Sequence, residues 1–182
     1  YERAVRSPDS LTARLHLATL AFERGARDEA MRAFDRFIDV YNSGRRQLSA
    51  DELRAVAVAC RYLGRDNPQL FKDALKAYDE AVAADSSNLD TRTELGFLFL
   101  EKYEGTLARS TFEGVLATNP KHPRALIGMS RVLTFEGRGD ASALVRQSLE
   151  VNPSDADARA IAALLLIDVE RYDDAANEAR AK

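Results

Sequence analysis

The chain has 182 residues, 46% of them hydrophobic and 30% charged, with a formal net charge of -3. That supports a sizeable core, as one or two domains or one elongated array, and the interspersed charge excludes the basic footprint of a nucleic-acid binder. No apolar run approaches the ~18 residues of a membrane span; "YERAVRSPDS" has no apolar signal-peptide core, and a single cysteine, Cys60, excludes an internal disulfide framework.

In chain order the pattern is helical throughout. "YERAVRSP" places Tyr1 and Ala4 three apart, as at the end of a helix from an earlier unit. Leu11, Leu15, Ala18 and Phe22 follow at the i, i+4, i+7, i+11 spacing of one helix face. Gly25 suits a left-handed C-cap ending that helix. A second helix carries Ala30, Phe34, Phe37 and Tyr41 on one face. "DELRAVAVACRYLG" predicts a third, ending at Gly64, and Asn67 suits the cap of a fourth beginning at Pro68. The five prolines sit at helix boundaries beside Asn, Asp and Ser, the usual N-cap residues. Period-2 alternation, the mark of strands, is not sustained anywhere.

The chain is also repetitive. Ala30, Ala74, Ala108, Ala141 and Ala175 are spaced by 44, 34, 33 and 34 residues. Four residues after each come Phe34, Tyr78, Phe112, Val145 and Ala179, and twelve after the third and fourth come Pro120 and Pro153. A period of about 34 with two helices per unit resembles the tetratricopeptide repeat (TPR). Residues 89–122 carry the resemblance best, with Leu95, Gly96, Phe99, Ala108, Phe112 and Pro120 in register, and depart from it at Arg92, where the family has tryptophan, and at Val115, where it has alanine.

The resemblance implies an all-α, right-handed superhelical α-solenoid of antiparallel helix pairs. Small residues such as Gly96 and Ala108 would let the first and second helices of a unit, A and B, approach closely. A single array is expected over 1–182: the end of a preceding repeat at 1–8, then repeats at 11–44, 50–88, 89–122, 123–155 and an incomplete 156–182. Without polar capping units at either end, it reads as a segment of a longer protein or as a chain trimmed by proteolysis. Around 42–49 and 65–71 the second repeat carries insertions, which are either tolerated drift or a functional loop.

No constellation carries catalysis, binds a cofactor or holds a metal. His16 has no ligand partner at metal spacing, and His122, in "NPKHPRA", is expected to be solvated in a turn. Cys60 falls at an apolar position and reads as a small buried hydrophobe. "DSSNLD" at 85–90 lacks the glycine and closing glutamate of a calcium loop. "RGD" at 138–140 lies between two helices, where Gly139 and Asp140 read as turn and cap. Asp168, Glu170, Asp173 and Asp174 read as a solvated acidic face. The chain is therefore not expected to be an enzyme.

In the resembled family, ligands lie along helix A of each unit, in the concave groove. Applied to the second, fifth, ninth and twelfth places of each unit, this implies a partner-binding groove of Leu15, Thr19, Phe22, Arg54, Arg61, Thr93, Phe97, Leu100, Arg124, Ile127, Arg131 and Leu164. The groove would be mostly apolar with a few arginines able to meet acidic side chains. No asparagine or lysine occupies these places, so the clamp that some chaperone-binding members close on a terminal carboxylate is not expected.

The leading expectation is a protein-interaction scaffold holding a helical or extended apolar segment of a protein or peptide ligand. One alternative is the non-catalytic arm of a larger bacterial enzyme: "FLEKYEGTLARSTFEGVLATNPKHPRALIGMSRVL" is weakly similar to arrays in large bacterial proteins, some with a downstream metallopeptidase domain. The other is a module that self-associates end to end. Richness in alanine, arginine and aspartate points to a GC-rich bacterial genome and leaves cytoplasm and periplasm both open.

Overall fold

Ten α-helices and no strand make up the regular structure of the residues described by the computed structural model, 10–44, 46–65, 67–137 and 139–180. They are α1 (Leu11–Glu23), α2 (Arg27–Ser43), α3 (Ala50–Leu63), α4 (Gln69–Ala84), α5 (Leu89–Glu101), α6 (Gly105–Thr118), α7 (Pro123–Glu136), α8 (Ala141–Val151), α9 (Ala156–Asp168) and α10 (Tyr172–Arg180). Tyr1, Ala4 and Arg138, which enter the sequence expectations above, lie outside the described residues. The chain forms two units, Tyr1–Thr91 and Arg92–Lys182, divided inside α5.

In the first unit α1, α2 and α4 each bury one face. Leu11, Leu15 and Ala18 of α1 are buried, as are Ala30, Phe34 and Phe37 of α2 and Ala74, Tyr78 and Ala81 of α4. Phe34, Phe37 and Tyr78 are at most 1% exposed, and each such ring contributes on the order of 2–3 kcal/mol of transfer free energy. α3 packs against α1, α2 and α4 and is buried nearly all round, through Leu53, Ala55, Val56, Ala57, Ala59, Cys60 and Leu63. Tyr62 of α3 ties α1 and α2 together, stacking on Phe34 at 4.6 Å between centroids and meeting Phe22 edge-on at 5.0 Å.

In the second unit the core runs through Ala108, Phe112 and Val115 of α6, Ala125, Leu126, Ile127 and Val132 of α7, and Val145 of α8. Gly96 and Gly128 both face the Phe112 ring: a Cβ would lie 2.6 Å from it at Gly96 and 2.3 Å at Gly128. Arg92, standing where tryptophan was expected, lies over Gly114, where a Cβ would fall 2.6 Å from its guanidinium.

Two turn designs recur. After α1, α5, α7 and α9 the chain turns at a left-handed residue, Gly25, Tyr103, Gly137 and Glu170, with φ of 85°, 61°, 65° and 60°. At three of these the following N–H reaches back five residues at 2.9 Å, Ala26 to Ala21, Glu104 to Phe99 and Arg171 to Leu166, the long bond of a Schellman closure. Between helix pairs, Asp85, Asn119 and Asn152 accept from the N–H two residues on. Three residues later a cap accepts from the next helix: Asn88 from Thr91, His122 from Ala125 and Asp155 from Ala158.

This pattern corrects the expectation for His122. It is not solvated but 9% exposed, and its Nδ1 accepts from the Ala125 N–H at 3.3 Å. Pro123, which has no N–H, occupies the first helical position, leaving the imidazole to cap α7. In "DSSNLD", Asp85 and Asn88 serve as turn and cap. Asp140 accepts from Ala143 at 2.9 Å, capping α8. Asn67 accepts from Gln69 at 3.2 Å as α4 begins.

Candidate functional site

The first helix of each pair carries the expected groove positions. In the second unit these residues come from α5, α7 and α9, which share one apolar cluster: Phe97, Leu149, Ile161, Ala162 and Leu165 pack around Ile127, Val145 and Ala158. Phe97 is half-buried and meets Phe112 edge-on at 5.3 Å, so part of its role is packing. Arg124 and Arg131, at i and i+7 on one face of α7, hold their guanidiniums 5.7 and 5.6 Å from the centroid of that same ring.

Three expected groove residues are not on the surface. Leu15, Thr93 and Ile127 are 5%, 0% and 4% exposed and belong to the packing between helices. All three hold the fifth place of their units, a place that is half-buried at Arg54 and exposed at Ala160; Ile127 packs in one cluster with Val145 and Ala158. They cannot present side chains to a partner. Of the others, Leu164 is 60% exposed, and its neighbour at the twelfth place, Ile167, is 46% exposed. Leu100 is half-buried.

In the first unit Thr19, Phe22, Arg54 and Arg61 are all half-buried. Phe22, like Phe97, is bracketed by arginines, with Arg65 at 5.3 Å and Arg27 at 5.9 Å. Arg65 lies over Tyr62 as well, at 5.3 Å.

Sequence reasoning missed Glu94. Its side chain is 7% exposed, and it accepts from Arg124 at 3.4 Å, anchoring that arginine from beneath. A carboxylate one place after a buried threonine gives no sequence signal of this. Gly128 was also missed, although a glycine at mid-helix in "LIGMS" is a sign of close approach. No group of histidine, cysteine or carboxylate residues able to hold a metal occurs among the described residues, and no helix there is long and apolar enough to cross a membrane.

Antiparallel helix pairs, closed by one repeated turn and spaced by small residues, define an all-α helical-repeat fold of the tetratricopeptide-repeat type. Solved structures agree. The chain superposes on TTC0263, a thermophilic TPR protein of Thermus thermophilus, with a TM-score of 0.71 at 20% identity, over 93% of this chain and 88% of that one. PilF of Pseudomonas aeruginosa matches with a TM-score of 0.62 at 21% identity, over 92% and 72%. MamA of Desulfovibrio magneticus RS-1 matches with a TM-score of 0.57 at 15% identity, over 93% and 91%. At these identities the likeness is one of fold. No family model and no curated protein sequence matches the chain.

Proposed function

We propose that this chain is a protein-interaction scaffold that holds a peptide segment of its partner, helical or extended, along the A-helix face of the second unit. The TPR-type fold supports the scaffold role. The observation that carries the location is Leu164, 60% exposed on α9 beside Ile167 at 46%, at the same repeat places as Phe97 and Leu100. Leucine and isoleucine one helical turn apart on an open face are an apolar anchor of the kind that a peptide covers.

A photoreactive phenylalanine placed at Leu164, and in a control at Gln147 on α8, tests this. Both positions are exposed, so both proteins are expected to fold. In source-cell lysate the probe at 164 is expected to label a discrete partner, and the probe at 147 not to label it. Equal labelling from both would remove the face assignment. Absence of any labelled partner would remove the scaffold reading.

A further inference from the structure

Arg131 sets the chemistry of the segment. Five arginines of the second unit are answered from within the molecule: Arg109 by Glu136, Arg124 by Glu94 at 3.4 Å, Arg146 by Asp140 at 3.9 Å, Arg159 by Glu178 at 2.8 Å and Arg171 by Asp174 at 2.6 Å. Arg131 is exposed, and no carboxylate among the described residues lies within ion-pair distance of it. What holds it is the Phe97 ring, 5.6 Å away. A contact with a ring face occupies no hydrogen-bond acceptor, and the N–H fork of a guanidinium fits a carboxylate.

The matching places of the neighbouring repeats are mostly apolar. Phe97, Arg131 and Leu164 hold the ninth place of three successive repeats, and Leu100, Thr134 and Ile167 the twelfth. Arg131 thus shares the Phe97 ring with Arg124, whose charge Glu94 answers, and by repeat register it stands between the apolar ninth places of α5 and α9. Covering such a strip excludes water, which strengthens the attraction of the cation for an anion placed there. A purely apolar segment would bury Arg131 unanswered, which is costly.

Resting on the face assignment above, we infer that the segment is acidic as well as apolar: an aspartate or glutamate side chain set among leucine-like residues, its carboxylate paired with Arg131 while its neighbours cover Leu164 and Ile167. The carboxylate is an internal side chain rather than a chain terminus.

Selection of phage-displayed random 16-residue peptides, with no free C-terminus, on the whole chain provides the test. Enriched sequences are expected to carry Asp or Glu within an apolar pattern. A synthetic, C-terminally amidated copy of one should lose about tenfold in affinity on Arg131→Gln, and the same on Glu→Gln in the peptide. The two losses should not add, and binding should weaken with salt. Circular dichroism and a melting curve establish that the variant is folded.

Enriched peptides that are apolar without acid, or that bind Arg131→Gln unchanged, overturn the acidic pairing; if Leu164→Glu still abolishes their binding, the face assignment stands. Failure to enrich any peptide on the wild type, or enrichment indifferent to both Arg131→Gln and Leu164→Glu, overturns both. If only free-acid peptides bind, the carboxylate is terminal and the inference of an internal side chain falls.

Discussion

The Phe112 ring occupies the space that Gly128 leaves by having no side chain: a Cβ there would lie 2.3 Å from two ring atoms. Gly96 on α5 faces the same ring, at 2.6 Å. Phe112 is fully buried, so it has no room to yield. Two glycines on successive A helices thus admit one aromatic ring from the intervening B helix, and that ring carries Phe97 on its edge.

Gly128→Ala and Gly96→Ala should therefore destabilise the protein. On an open helix the same change gains about 1 kcal/mol. Here overpacking, at about 1–3 kcal/mol, reverses the sign. Urea unfolding should rank Gly128→Ala as the worse of the two. In a Phe112→Leu background the penalty of Gly128→Ala should shrink or vanish; an unchanged penalty would mean that the ring is not its cause.

Tyr103→Gly should stabilise it. Tyr103 has φ 61°, at the turn where Gly25 and Gly137 stand in two other repeats. A left-handed conformation costs a non-glycine residue about 1–2 kcal/mol. Tyr103 recovers little of this, since it is 79% exposed and its ring lies 6.4 Å from that of Phe135. A gain of about 1 kcal/mol should raise Tm by roughly 2–4 °C. A fall in Tm would show that the ring contact outweighs the backbone strain.

These two cases show what was legible in the sequence. The register of Ala30, Ala74 and Ala108 marks places where the repeat admits only a small side chain, so a period of about 34 fixes the helix pairs and their turns. Gly96 was legible for the same reason. The candidate face was legible only in part, because exposure depends on the helix opposite. Leu15 and Leu164 are the same residue type at expected groove places, yet one is 5% exposed and the other 60%. Ile127 differs from Arg131 by one helical turn, and its burial follows from Val145 and Ala158, which no local pattern announces. His122 was misjudged because its neighbours read as a polar turn, whereas Pro123 left a capping role that the imidazole fills.

Acid should act on the start of α3. Ser49 and Glu52 form a reciprocal capping box, the Ser49 N–H donating to Glu52 at 3.0 Å. The Arg46 guanidinium, donating at 2.7 Å, holds the Glu52 carboxyl at about 2, against an ordinary 4.5. A carboxyl depressed on folding contributes stability that is present above its unfolded value and is lost as pH falls through the folded one. Glu52→Gln should thus be less stable than wild type at pH 7, with the difference closing between about pH 4.5 and 2. Unfolding midpoints of the pair across that range measure this. A difference independent of pH would assign the effect to the shape of the cap instead of its charge.

Cys60 offers a direct reading of how the first unit opens. It is the chain's single cysteine, 2% exposed on α3, and burial pushes its thiol up to about 12, reinforced by the nearby Asp73. Only the thiolate attacks a disulfide reagent, and at pH 8 the folded protein holds almost none. An aromatic disulfide reagent should therefore label native protein at least about a thousandfold more slowly than protein in urea, through opened states. Because labelling passes through opening, a cavity made beside it by Val56→Ala should speed the native reaction by about the factor by which it destabilises the protein. If the rate instead ignores Val56→Ala, Cys60 is reached without opening, and the packing of α3 is looser than its burial indicates.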